Sequence, residues 1–430
     1  MTGKKRSFLS PFNIYHLVIT LLTALVFSFT WPFFKYGEPS PQHYFKNDFM
    51  FLYVLARIVT SPQYKQIYDA DLQLAISNEI LAPLHEDTPF CFPYPPYAFM
   101  FCAPLGFMPF HLAYRVHQIV TLLFGAGIFV WLYKKVTEWS AGQLLVLLQS
   151  ALIAFPVFLG VTGGQYHLFF FALFALFFYG LASKKELPAG VGLALSSMKL
   201  QYAPMFGLIL LMNRKWKAIG ACFATLALLL VASGLWFGFD NIVNYPKILL
   251  FTETSKTLTG IYPENHICIR GLFLRIMPEK LAHTSTTLMY IGALAGCAWM
   301  WLKGRGKGDL VFGWGLAIAT LANLVFALHV QFQDCLYLAL AIPFTINGAQ
   351  REMMRMNVLQ HGAFWYRAWC VMLAAFPFTS WLQPMFDISK YGRTLILALN
   401  MILLFIAIWC WKIAMKTANA RIAAVSNASK

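Results

Sequence analysis

Apolar residues run through this chain in long blocks rather than in alternation. A helix needs about 20 predominantly apolar residues to cross a hydrocarbon core. Such blocks recur near 12–34, 110–133, 141–161, 166–183, 216–237, 285–302, 309–328, 333–348, 364–383 and 393–413. A further apolar stretch, 188–212, is interrupted at Ser196-Ser197-Met198-Lys199. No period-2 pattern lasts long enough to predict a strand, and no internal repeat is visible. The pattern predicts an all-α, polytopic integral membrane protein, one domain over residues 1–430, with about 10–12 transmembrane helices.

Composition supports that reading. With 59% hydrophobic and 12% charged residues, 430 residues carry too little charge to cover a soluble surface. The net charge of +16 would suit a nucleic-acid binder, but the bases fall in short clusters between the apolar blocks, as membrane topology requires. The anionic partner this favours is an acidic membrane lipid or a phosphate-bearing lipid, and not nucleic acid.

The same clusters orient the chain. Lys4, Lys5 and Arg6 place the N-terminus in the cytoplasm, and Lys412, Lys416 and Arg421 do the same for the C-terminal tail. Lys134-Lys135, Lys184-Lys185, Arg214-Lys215-Lys217, Lys303-Arg305-Lys307 and Arg351-Arg355 mark further cytoplasmic loops. The first block has no small-residue cleavage site and reads as a retained helix. Both Lys184-Lys185 and Arg214-Lys215-Lys217 belong inside, yet only 188–212 separates them. Two half-helices returning to the same side, with Ser196–Lys199 at the tip, satisfy both clusters; a single crossing would invert everything that follows. Irregular backbone at such depth is tolerated where protein buries it or a wet cavity meets it.

Two long segments then fall outside, 35–109 and 239–284, with short turns at 162–165, 328–333 and 384–392. Leu72, Ile76, Ile80 and Leu84 form one apolar stripe, predicting a helix along the interface. Phe51, Leu55 and Val59 predict another that begins just after Asp48. Phe92-Pro93-Tyr94-Pro95-Pro96 reads as an extended link. The eight cysteines show no metal-ligand spacing, and most read as small core residues. Cys91 and Cys268 fall in the outer segments, which leaves open whether they pair.

Seven polar residues are not needed by membrane spans, and all map to the extracytoplasmic half: Asp48, Gln165, Lys199, His266, Arg270, His329 and Asp334. Each has a plain structural reading. Asp48 could cap its helix, Lys199 could snorkel or meet a carboxylate, and Asp334 could pair with a base or cap the next helix. Gln165 could bridge helices, His329 could be a neutral, hydrogen-bonded interface histidine, and Arg270 could meet lipid headgroups. Their shared side is what predicts a site, because ionisable groups at membrane depth are costly. Together they suit transfer of a group from a lipid phosphate. A carboxylate takes the proton of an attacking hydroxyl, and cations hold the departing phosphate. The sequence has neither a P-loop nor an H-E-x-x-H zinc motif.

The order of these residues resembles glycosyltransferase family 87, polytopic GT-C enzymes that include polyprenyl-phosphomannose-dependent mannosyltransferases. The likeness begins at Asn47-Asp48-Phe49 and continues through Tyr53, Ala56-Arg57, Ile67-Tyr68-Asp69, Pro89-Phe90, Tyr94-Pro95-Pro96, Pro104-Leu105 and Pro109. Gly164-Gln165, Lys199 with Pro204, and His329 with Asp334 follow in order. Leu200 stands where members often carry proline. The resemblance implies a GT-C fold, no metal or other cofactor, a polyprenyl-phosphate sugar donor and a lipid- or glycan-borne acceptor. It also implies inversion, on the outer face of a bacterial plasma membrane. Mannose is the default sugar; the resemblance makes Asp48 the expected base, Lys199 a phosphate ligand and His329 a substrate contact, and the residues themselves add Arg270 beside Lys199 on the phosphate. A flippase of a lipid-linked sugar, or a non-catalytic scaffold, would use the same topology; a transporter often shows repeat symmetry.

Overall fold

The computed structural model describes residues 14–25, 48–88, 94–137, 139–254, 263–353, 368–372, 374–375 and 390–428. Among these the regular structure is entirely helical. A first helix, α1 (Ile14–Leu25), is followed by the short α2 (Asp48–Val59) and α3 (Ala70–Leu81). Then come α4 (Phe110–Val136), α5 (Ala141–Leu152), α6 (Phe155–Gly163), α7 (His167–Ala182) and α8 (Glu186–Ser196). They are followed by α9 (Ala203–Met212), α10 (Trp216–Phe237), α11 (Phe239–Thr254) and α12 (Ile269–Ile276). The last are α13 (Glu279–Gly304), α14 (Asp309–Phe326), α15 (Leu338–Met353) and α16 (Lys390–Ala428).

The outward faces are apolar. Phe223 and Leu228 of α10 are 69% and 70% exposed, and Leu288 of α13 and Phe405 of α16 also point outward. A surface of this kind is stable against lipid, where helices satisfy their own backbone groups. The chain is an all-α polytopic membrane protein. Four helices are long and apolar enough to span among the described residues: α4, α10, α14 and the greater part of α16. A fifth is added if α5 and α6, bent by 66° across a short break, count as one. This is fewer than the 10–12 expected. The block at 166–183 forms a 16-residue helix and 188–212 is broken, while the Ser- and Thr-rich start of α13 dilutes its apolar character. Most of 12–34 and 364–383 lies outside the described residues.

The broken stretch does form a hairpin. Glu186, at the start of α8, accepts hydrogen bonds from the backbone N–H groups of Lys217 (3.0 Å) and Ala218 (3.3 Å), and Lys215 Nζ lies 3.8 Å from its carboxylate. Arg305 reaches the Met212 carbonyl (3.4 Å) at that same basic end. Eleven residues of α8, roughly 16 Å of helix, carry the chain away to Lys199 before α9 brings it back.

Close packing on α8 fixes this hairpin. A Cβ on Gly190 would lie 2.1 Å from the Ala218 carbonyl oxygen of α10. One on Gly192 would lie 2.4 Å from the Phe177 backbone nitrogen of α7, and one on Gly180 would meet Ala189 at 2.3 Å. Small residues let the three backbones approach where no hydrophobic effect drives helices together.

In the 35–109 segment, α3 forms where its stripe predicts, but it is turned. Gln73, Ser77 and Leu81 are its buried positions, while Leu72, Ile76 and Ile80 are half-buried. The cause is hydrogen bonding: Gln73 donates to the Ile67 carbonyl (2.7 Å), and Asn78 binds the Glu86 backbone at both its N–H (2.8 Å) and its carbonyl (3.0 Å). α2 also forms as expected, with Asp48 as its first residue.

Substituting Gly192→Val should destabilise the protein in detergent by about 1–3 kcal/mol, as overpacking does. Gly220→Val, on α10 where a Cβ meets nothing within 4 Å, should leave the thermal midpoint unchanged. Equal midpoints for the two variants would refute the packing argument.

Candidate active site

Asp48 opens α2, and the next residue holds it in place. Phe49 is fully buried, its ring centroid 4.9 Å from that of Tyr114, 5.4 Å from His117 and 5.5 Å from Phe110. Above it runs the turn after α6, where Gly164 has φ +60° and a Cβ would sit 2.4 Å from Phe49 Cβ. Only glycine satisfies both the left-handed backbone and that contact. The turn delivers Gln165 to Asp48: its Nε2 donates to the Asp48 carboxylate, and its buried Oε1 has no hydrogen-bond partner. Burial pushes the Asp48 carboxyl up to about 6, against the opposing effects of the Gln165 hydrogen bond and the Lys199 charge.

Lys199 sits at the hairpin tip and is buried. Its ammonium pairs with Asp334 Oδ1 and lies 5.7–5.9 Å from the ring centroids of Phe170, Tyr202 and Tyr337. The second Asp334 oxygen accepts from the Gln331 N–H (3.0 Å) and caps the 3₁₀ helix Phe332–Tyr337. Pairing and capping are thus combined in one carboxylate.

Asp48, Gln165 and Lys199 face one polar cavity of about 30 Å³, together with Tyr94, His167, Gln331 and Gln333. Burial, and then the charges of Asp48 and Asp334, raise the Tyr94 hydroxyl well above its usual range, so it stays a proton donor. A second, apolar cavity of about 350 Å³ backs onto the same wall. It lies between α4, α5 and α15, and Cys335 and Leu336, next to Asp334, line it. Among the described residues no group of three or more His, Cys, Asp or Glu could hold a metal ion.

The remaining expected residues are not on the polar cavity wall. His266 and His329 meet with ring centroids 4.1 Å apart and ring planes tilted by 57°. Arg270 donates to the Leu328 carbonyl (3.0 Å), and the Ile267 N–H to that of Val330 (3.0 Å). Arg270 therefore supports the 328–330 backbone instead of standing beside Lys199 as expected. Gln201 donates to the His329 carbonyl (3.0 Å), so this second cluster grips the hairpin tip from the other side. Cys268 is a free buried thiol, and Cys91 lies outside the described residues.

The sequence profile of glycosyltransferase family 87 matches residues 92–327, more than half of the chain. The chain belongs to glycosyltransferase family 87. No curated protein matches it. The family makes the protein a membrane glycosyltransferase, and the matched interval carries Tyr94, Gln165, His167, Lys199, His266 and Arg270. Asp48, His329 and Asp334 lie outside that interval, and the fold brings them to it. Among the cavity residues of this glycosyltransferase missed from sequence are Gln331, Gln333, Tyr94 and His167. Gln331 and Gln333 stand between His329 and Asp334, and Tyr94 lies in the proline-rich link. His167 was counted as the start of a span.

Asp334→Asn should destabilise the protein by about 3–5 kcal/mol, because it leaves a buried ammonium without its counter-ion. Lys199→Met with Asp334→Leu should cost less than either single change. Additive losses in thermal unfolding would show that the two charges do not interact.

Proposed function

We propose that the protein transfers a hexose or pentose, mannose by default, from a polyprenyl-phosphate donor to a lipid- or glycan-borne hydroxyl at the extracytoplasmic side of the membrane. The observation carrying this reading is that a carboxylate near neutrality and a buried ammonium face one cavity. The acceptor O–H gives its proton to Asp48 while its oxygen attacks the anomeric carbon. The bond from that carbon to the phosphate oxygen breaks with inversion, and the polyprenyl phosphate leaves with the electron pair. Gln165 holds Asp48 through its N–H and keeps Oε1 for a sugar hydroxyl. Lys199 binds the phosphate as its charge develops. His266, Arg270 and His329 position the 328–331 wall and through it the hairpin tip.

The apolar cavity behind Asp334 supports a lipid-linked donor, since an isoprenoid chain fits a lining almost without polar groups. At about 30 Å³ the polar cavity is far below the roughly 300–1,000 Å³ of small-molecule sites. Substrate must therefore open it, and the wall built by Gln331 and Gln333 on the irregular 328–337 segment is the part free of the glycine-packed helices.

Incubation with radiolabelled polyprenyl-phosphate sugars and a membrane lipid extract tests the reaction. Wild type should form a labelled glycolipid or glycan; translocation of label across vesicles without a new bond would indicate a flippase instead. Asp48→Asn should lower transfer by about 10²–10⁴-fold or more with folding and insertion intact. Full activity of that variant would remove Asp48 from the mechanism.

The pH dependence has a definite sign. The base works when ionised, so kcat/KM should rise through about pH 6 and level above it. Gln165→Leu removes a hydrogen bond that favours the carboxylate, so the acid limb should move to higher pH. A limb that stays in place or moves down would contradict the pairing of Gln165 with Asp48.

A further inference from the structure

His167 has no role in the chemistry described so far, yet it lines the polar cavity beside Lys199 and is only 2% exposed. Neither ring nitrogen makes a hydrogen bond of ordinary geometry, although the Pro156 carbonyl lies near the ring. An unsatisfied imidazole at this depth costs free energy that packing alone does not return. Nor is its position loose. A Cβ on Gly160 would lie 1.8 Å from His167 Cε1, so α6 has been cleared at that residue to seat the ring.

His167 is also the first residue of α7, and no side chain caps that helix. The first-turn N–H groups of His167, Leu168 and Phe169 lack intrahelical acceptors, and the helix dipole places partial positive charge there. The first residue of α7, its imidazole able to donate, and the Lys199 ammonium thus meet at one small cavity. Such a set recognises a phosphate oxyanion.

We infer that His167 and the open first turn of α7, with Lys199, form the seat of the donor phosphate, a role that rests on the proposed reaction. The seat replaces the Arg270 contact expected from sequence. It also gives Lys199 an exchange of partners, Asp334 in the closed cavity and phosphate in the occupied one. Because α7 follows directly from the turn that carries Gln165, one short stretch of chain would hold both the base and the leaving group.

Binding of farnesyl phosphate, farnesol and uridine diphosphate to the full-length protein in nanodiscs tests the seat. His167→Phe keeps a ring but no donor, and should weaken farnesyl phosphate binding by about tenfold, the loss of one hydrogen bond to a charged group. His167→Gln should recover most of that loss. Farnesol affinity should not change, whereas a purely structural role for His167 would alter farnesol binding and the melting temperature together. If His167→Phe does not fold, His167→Met in the same assay gives the decision. Farnesyl phosphate affinity within about twofold of wild type in the folded variant overturns the seat and leaves the proposed reaction standing. If wild type binds uridine diphosphate and not farnesyl phosphate, the lipid-phosphate donor is wrong. The seat then stands or falls on whether His167→Phe weakens uridine diphosphate. Absence of binding by either phosphate overturns it.

Discussion

The buried ion pair of Lys199 and Asp334 is the constraint from which the site follows. An ammonium taken this far from water costs several kcal/mol unless a counter-charge and hydrogen bonds compensate it. Asp334 supplies the charge with one oxygen and caps its own 3₁₀ helix with the other. The tip of a broken hairpin and a segment 135 residues further along are thereby fixed to each other. Phe170, Tyr202 and Tyr337 close around the cation and leave the cavity as its open side. The Lys199 charge also acts on Asp48, where it opposes the effect of burial. On the proposed reading Lys199 serves the leaving group and also moderates the rise that burial gives the Asp48 carboxyl.

A buried pair is weak evidence for stability, since well-packed apolar side chains can replace it without loss. Its value here lies in specificity. Lys199 without Asp334 would be an uncompensated charge, and with Asp334 it is a cation whose partner can be exchanged. On the proposed reading a phosphate takes the place of the carboxylate, so the cation is never bare. The energetic demand on the incoming group is then the difference between two anions, not the full desolvation of an ammonium.

Much of this was legible in the sequence, for identifiable reasons. The broken hairpin followed from two basic clusters that belong on one side with only 188–212 between them, and Lys199 from its place at the break. α2 followed from Phe51, Leu55 and Val59, which put Asp48 at a helix start. Arg270 was expected at the phosphate from its side of the membrane, which does not reveal a contact partner, and its guanidinium meets the Leu328 carbonyl. The face of α3 was misjudged because Gln73 and Asn78 bury polar atoms through local hydrogen bonds that an apolar stripe does not reveal. His167 escaped notice inside the run Gly163-Gly164-Gln165-Tyr166-His167-Leu168, where length alone drew it into a span. The clue was a titratable residue at a helix start two positions after an expected site residue.

The distribution of small residues bears on how the site opens, and so on which kind of protein this is. Alternating access needs one bundle to rock against another around a fixed site. Here α7, α8 and α10 are held by close backbone approaches at Gly180, Gly190 and Gly192, and Glu186 ties the start of α8 to the start of α10 at the basic end. That unit carries Lys199 at its tip and His167 at its edge, and it has no room to slide. The opposite wall is held differently: Gln331 and Gln333 sit on a 3₁₀ segment attached through the Asp334 pair, the Gln201 bond and the Arg270 bond. On the proposed reading, exchange of the Asp334 pair releases one of the links that hold that wall. On that reading, an opening at that wall, over the Lys199 ammonium and the Asp48 carboxylate, suits a site that admits a lipid-linked group and reacts with it. It does not suit one that must face both sides of the membrane in turn.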